Sequence, residues 1–115
     1  MDVLITLAGK SKRFYNAGYK KPKFLLPILN STIISEIVKK FDDSDKFHFV
    51  LTREQVKKNK SLINYLKKLS KNTFINIIDS HDLGPVHSAL QVKSIKDNSP
   101  VILSYCDFLI NWDYK

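Results

Sequence analysis

Val3-Leu4-Ile5-Thr6-Leu7-Ala8-Gly9 is an apolar run rich in β-branched residues that ends in two small ones. It reads as a buried strand feeding a loop. Downstream, Ser31 or Thr32 can cap a helix in which Ile33, Ile34, Ile37, Val38 and Phe41 recur at helical spacing. Phe47–Leu51 is a second strand. A helix over Arg53–Leu69 follows, with Val56, Ile63, Leu66 and Leu69 on one face and lysines toward water. Phe74–Ile78 is a third strand, Val86, Leu90 and Ile95 mark a short helix after Gly84, and Val101–Tyr105 after Pro100 is a fourth strand.

The order β-α-β-α-β-α-β is most simply joined by right-handed crossovers into a parallel sheet whose ligands gather at the carboxyl ends of the strands. The segments at Gly9 and Asp107 both fall at such ends. The connection from Gly9 to about Asn30 exceeds the ~2 to 6 residues usual between strand and helix, and loops of that length are usually functional.

With 115 residues, 43% of them hydrophobic, the chain suits a single domain over 1–115. Asn111–Lys115 carry no turn or cap, so a further C-terminal portion is expected. A formal charge of +8, from 19 Lys and Arg against 11 Asp and Glu, favours anionic partners without choosing among them. The single cysteine, Cys106, excludes an intrachain disulfide and a Cys-based zinc site and makes a reducing, cytoplasmic setting the default. The apolar stretch Val3–Ala8 is far short of the ~20 residues of a membrane span, so no membrane partner is expected.

Lys10, Lys12, Arg13, Lys20, Lys21 and Lys23 follow the first strand with no acidic residue among them, forming an electropositive mouth. Backbone N–H groups near Gly9 and Ser11 suit phosphate oxygens, Arg13 a bidentate grip, and Lys23 a point charge beside a second phosphate. Taken singly, Lys10, Lys12, Lys20 and Lys21 read as solvated surface. Arg13 and Lys23 sit among apolar and proline residues, in Arg13-Phe14 and Pro22-Lys23-Phe24-Leu25, where packing fixes a side chain.

In sequence order, Leu7-Ala8-Gly9, Arg13-Phe14, Ala17-Gly18-Tyr19, Pro22-Lys23 and Leu25-Leu26-Pro27 resemble the N-terminal signature of the sugar-phosphate nucleotidylyltransferases. The likeness is nearest to the capsule and surface-polysaccharide branch with its Arg-Phe-x-x-Ala-Gly-Tyr-x-x-Pro-Lys run. This resemblance implies a Rossmann-like, GT-A-type α/β fold with a parallel sheet and flanking helices, incomplete at its C-terminus. It also implies that Leu7, Ala8 and Gly9 lie against the nucleotide, beside the Ser11 backbone N–H already read as a phosphate donor, that Arg13 contacts the triphosphate and departing pyrophosphate, and that Lys23 binds phosphate at the reaction centre. Lys10-Ser11-Lys12 stands where the family commonly carries glycine.

Gly84-Pro85-Val86-His87-Ser88 follows the third strand, and a glycine entering a helix near a serine suits close approach of a ligand. A plain helix-start turn reads nearly as well from the residues, since Gly-Pro is also ordinary loop punctuation. By the resemblance, Gly84 and Ser88 contact the base or ribose. The spacing of His81 and His87 matches no usual metal motif, and His48 alternates onto a sheet face. Asp107, after the fourth strand in Ser104-Tyr105-Cys106-Asp107, either ends the strand in a turn or, as the resemblance implies, holds a Mg2+ ion bridging the nucleotide phosphates.

The resemblance thus implies transfer of a nucleoside monophosphate from a nucleoside triphosphate to a phosphorylated sugar or similar small phosphate, releasing pyrophosphate. A nucleotide-sugar-dependent glycosyltransferase would share the sheet but gives no reason for Arg13 and Pro22-Lys23. Readings of another class are a truncated or inactive nucleotide-binding module, or a basic domain binding nucleic acid through Lys57, Lys58, Lys60, Lys67 and Lys68. The nucleic-acid reading is the weakest, because no zinc-finger spacing, helix-turn-helix cue or aromatic strip accompanies those lysines.

Overall fold

The computed structural model describes residues 1–8, 25, 27–28, 31–81, 83–96 and 98–105. Its elements are β1 (Asp2–Thr6), β2 (Pro27–Ile28), β3 (Ser31–Thr32), α1 (Ile33–Val38), β4 (Lys46–Thr52), α2 (Arg53–Lys58), α3 (Leu62–Leu69), β5 (Thr73–Ile78), α4 (Pro85–Leu90) and β6 (Val101–Tyr105). Four strands form one sheet in the order β5-β4-β1-β6, every pair parallel. β2 and β3 form a small antiparallel ribbon within the long connection after β1. The expected α/β parallel sheet with flanking helices is therefore present.

Alternation along the central strands divides the core between the two sheet faces. Val3, Ile5 and Leu7 of β1 and its exit join Phe47, Phe49 and Leu51 of β4 on one face, where Ile34, Ile37 and Val38 of α1 and Leu62 and Leu66 of α3 cover them. Leu4, Ala8, Val50 and Ile78 cluster on the other face under Ala89, Val92 and Ile95. Strands buried on both faces explain the near-continuous apolar runs of β1 and β4. Each fully buried Phe, Leu or Ile in the first cluster contributes about 1.5–3 kcal/mol through water-exposed area removed.

Local chemistry sets the helix starts. Thr32 is extended and its side chain accepts from the Ser35 amide at 3.2 Å, capping α1 as expected. Thr52 and Gln55 form a reciprocal capping box at the start of α2.

Two expectations are corrected. The helix expected over Arg53–Leu69 is two helices, because Asn59, at φ −137° and ψ 83°, leaves helical geometry and the chain turns before restarting at Leu62. The restart rotates the second segment so that Leu62 and Leu66 are the buried residues, while Ile63 and Leu69 pack at the margin. The lysines at 57, 58, 60, 67 and 68 do face water. The short helix expected after Gly84 is present as α4, but it ends at Leu90, short of Ile95; Val86 and Leu90 are exposed, at 59% and 79%, and Ser88 and Ala89 turn inward. With only six residues in that helix, apolar spacing could not fix which face meets the sheet.

His48 does occupy a sheet face, and it is buried among polar partners. Its Nε2 lies 2.8 Å from Asp2 Oδ1 and its Nδ1 2.6 Å from Ser94 Oγ, while its ring stacks on Phe74 with centroids 4.8 Å apart. Asn76 Nδ2 donates to the same Ser94 Oγ at 2.9 Å. No helix among the described residues is long and apolar enough to cross a membrane.

Candidate functional site

The chain leaves β1 for β4, continues outward to β5, and then returns to the other side of β1 as β6. The strand order therefore reverses between β1 and β6. In open parallel sheets that reversal opens a crevice at the carboxyl ends of the two strands, where the connections diverge to opposite faces. Thr6 of β1 pairs with Tyr105 of β6 at this point. The two chemically suggestive segments, starting at Gly9 and reaching Asp107, follow these two strand ends.

The exit from β1 is held by its neighbour. Leu7 N–H donates to the Val50 carbonyl at 2.9 Å, extending the β1–β4 ladder by one residue. The Leu7 carbonyl accepts from Gln55 Nε2, while Gln55 Oε1 accepts from the Thr52 amide at 2.9 Å. Both ends of one side-chain amide are thus used, so its orientation is set by its partners. Leu7 and Ala8 are buried, on opposite sheet faces.

The exit from β5, two strands away from β1, lies at the same end of the sheet. Arg53, opening α2, donates through Nε to Asp79 Oδ1 at 2.9 Å, with both side chains well exposed. Gly84 then adopts φ 87° and ψ 176°, a conformation that L side chains rarely enter, and a Cβ placed on it would meet nothing within 4 Å. Glycine is required there by the backbone, and the space beside it is open. Pro85 follows at the first turn of α4, and Ala89 packs α4 into the cluster that includes Ala8. The Gly84 segment and the β1 exit are thereby brought to the same end of the sheet.

Within that segment His81 makes two bonds. Its Nδ1 accepts from the Leu83 amide at 3.1 Å, and its Nε2 lies 2.9 Å from Ser88 Oγ. Because an amide can only donate, Nδ1 carries the lone pair, and in the neutral ring Nε2–H donates to Ser88. His87 packs edge-on against the same ring, with centroids 4.5 Å apart. Ser88 is only 3% exposed.

No protein-family model matches the chain. In sequence it is similar to the bifunctional protein GlmU of Methanococcus maripaludis strain C7, 32% identical over 104 residues that cover 89% of this chain and 24% of that one. The bifunctional protein GlmU of Methanococcus vannielii is 30% identical over 95 residues, covering 82% of this chain and 22% of that one. The chain therefore spans about a quarter of the length of these relatives. In three dimensions it matches a nucleoside-diphosphate-sugar pyrophosphorylase from Vibrio cholerae RC9 with a TM-score of 0.77 at 22% identity, covering 100% of this chain and 51% of that one. The chain has the fold of these pyrophosphorylases. A UDP-glucose pyrophosphorylase solved with UDP-glucose matches with a TM-score of 0.63 at 18% identity, covering 92% of this chain and 45% of that one.

On this pyrophosphorylase fold, Ala8 and the Gly84–Ser88 segment of α4 lie at the carboxyl end of the sheet on one face, whereas the Leu7 side chain is buried on the opposite face. Gly9, Ser11, Arg13, Lys23 and Asp107 lie outside the described residues. Among the described residues no group of three or more His, Cys, Asp or Glu side chains could hold a metal ion. The Mg2+ expectation therefore rests on Asp107, whose carboxylate oxygens are the donor type that this hard cation takes. Sequence reasoning missed Gln55 and His81. The Thr52-x-x-Gln55 pattern was a readable capping signal, but its bond to Leu7 depends on a strand far away in sequence.

Proposed function

We propose that this chain is the nucleotide-binding part of a sugar-phosphate nucleotidylyltransferase, catalysing NTP plus a phosphorylated sugar or similar small phosphate to an NDP-linked product and pyrophosphate. The observation that carries this reading is convergence. The three sequence blocks of the resemblance follow the exit of β1, the exit of β5 and the end of β6, all at the carboxyl end of one parallel sheet, and two of them flank the switch point between β1 and β6. Similarity to GlmU over 104 residues and the pyrophosphorylase fold support it independently. The resemblance of the Arg13-to-Lys23 run supports products used in capsule or other surface glycans, and the single cysteine, Cys106, supports a reducing, cytoplasmic setting.

In this reading Leu7, Ala8, Gly9 and Ser11 line the nucleotide, and Gly84 lets a base or ribose approach the main chain. Attack of the acceptor phosphate on the α-phosphorus concentrates negative charge on both reactants and on the leaving pyrophosphate. Arg13 grips the triphosphate and the departing pyrophosphate, and Lys23 neutralises phosphate at the reaction centre. Asp107 would hold a Mg2+ ion, which when bound supplies charge neutralisation across the phosphates.

The test is thermal unfolding with each of CTP, UTP, dTTP, ATP and GTP, with and without magnesium. A cooperative transition raised by one nucleotide in a magnesium-dependent way is expected, since a ligand selective for the native state stabilises it by mass action. A cooperative transition indifferent to all of them would sink the reading in favour of an inactive or non-nucleotide module.

A further inference from the structure

We propose that His81 is a positioning residue for the nucleotide site, shaping the Gly84 turn so that the turn, and not the Ser88 hydroxyl, meets the base or ribose. This inference rests on the nucleotide-binding reading above and goes beyond it by assigning how the turn is held. Three observations combine. Ser88 is 3% exposed, and its Oγ is already bonded to His81 Nε2 at 2.9 Å. His81 Nδ1 accepts the Leu83 amide at 3.1 Å. Gly84, between those two partners, has φ 87° and open space beside it. One imidazole therefore closes a ring around the positive-φ glycine, from the residue just before it to the helix just after it.

The clamp is specific to the neutral ring protonated on Nε2. A second proton on Nδ1 would point N–H at N–H and release the Leu83 amide. Among the described residues, the titratable group against this ring is His87 of α4, edge-on at 4.5 Å. Asp79, on the approach from β5, is paired with Arg53 of α2.

The experiment measures Kd for the five nucleoside triphosphates with magnesium, on the 115-residue chain, for wild type, His81→Phe, His81→Gln, Ser88→Ala and the His81→Phe/Ser88→Ala pair. His81→Phe keeps the ring packing against His87 but loses both bonds. The preferred nucleotide should bind about tenfold more weakly, as the loss of two hydrogen bonds predicts, with the preference among bases flattened. His81→Gln, which retains an acceptor and a donor, should recover part of the affinity. The double variant should bind no more weakly than His81→Phe, because Ser88 acts through His81. Long-range proton–nitrogen spectra should show Nε2 protonated and Nδ1 bare.

Additive losses in the double variant would make Ser88 a direct contact and overturn the inference. So would His81→Phe binding with wild-type affinity and preference, while the nucleotide-binding reading would stand. A folded wild-type chain that binds none of the five would overturn both.

Discussion

Gln55 Nε2 donates to the main-chain carbonyl of Leu7, forty-eight residues earlier in the chain, from the first turn of α2. The bond ties the exit of β1 to the start of the neighbouring helix. Gln55→Leu should lower stability by about 1–2 kcal/mol, since it leaves Leu7 O and the Thr52 amide without this partner. Gln55→Glu should keep the acceptor for Thr52 but lose the donor to Leu7. Urea unfolding of the three proteins measures the difference, and equal stability of all three would show that the bond carries nothing.

Gly84→Ala tests backbone strain without steric confusion, because nothing lies within 4 Å of the position a Cβ would take. A loss of about 1 kcal/mol is expected from the φ of 87° alone. Nucleotide affinity should fall further than stability if the turn is a contact, which thermal unfolding and titration on the same variant separate.

The His48 network lies toward the amino end of the sheet, since Asp2 opens β1 and Ser94 precedes β6. His48→Phe should preserve stacking on Phe74 yet destabilise by about 1–2 kcal/mol, chiefly by leaving the partly buried Asp2 carboxylate without its imidazole partner, while Ser94 keeps its bond from Asn76. Nucleotide affinity should be unchanged in the folded variant. A change in affinity as large as that from Lys23→Ala would contradict this separation of the two ends.

The Glu36 carboxyl is held below its ordinary pKa, chiefly by the hydrogen bond that Lys39 Nζ donates at 3.2 Å. A folded-state pKa below the unfolded one contributes stability above the unfolded value, and that contribution disappears as pH falls through the folded one. Glu36→Gln should therefore slightly flatten the acid side of the stability profile and leave neutral-to-basic slopes alone. Because the pair is exposed, the difference should shrink in high salt.

Lys23→Ala and Asp107→Ala should each weaken magnesium-dependent nucleotide binding at least tenfold, in line with the loss of a charge-assisted contact to phosphate. Lys57→Ala, on the exposed basic surface of α2, should leave it unchanged. Titration with and without magnesium decides. Binding left intact in both site variants would remove the proposed roles of these residues.

Much of the architecture was legible because burial on a sheet leaves a one-dimensional trace. Val3–Leu7, Phe47–Leu51 and Val101–Tyr105 stand out as apolar runs, and each lies on an observed strand and its immediate exit. Thr32 was legible as a cap because its hydroxyl acts within three residues. The split at Asn59 was not legible, since Arg53–Leu69 has lysines and apolar residues at spacings compatible with one helix. The inward turn of Ser88 was not legible either, because a six-residue helix offers too few positions to define a face.

The sequence alone determined the alternation of strands and helices, the buried character of β1 and the ordered blocks around Gly9, Gly84 and Asp107, because these depend on local propensity, periodicity and motif spacing. Only the tertiary structure decided that β6 returns beside β1, so that the strand order reverses there and Ala8 and Ala89 share one cluster. Strand order and the bonds of Gln55 to Leu7 and His81 to Ser88 are contacts between separated segments. Such contacts arise from how layers pack and which polar groups burial forces to pair, and no local stretch of sequence encodes them.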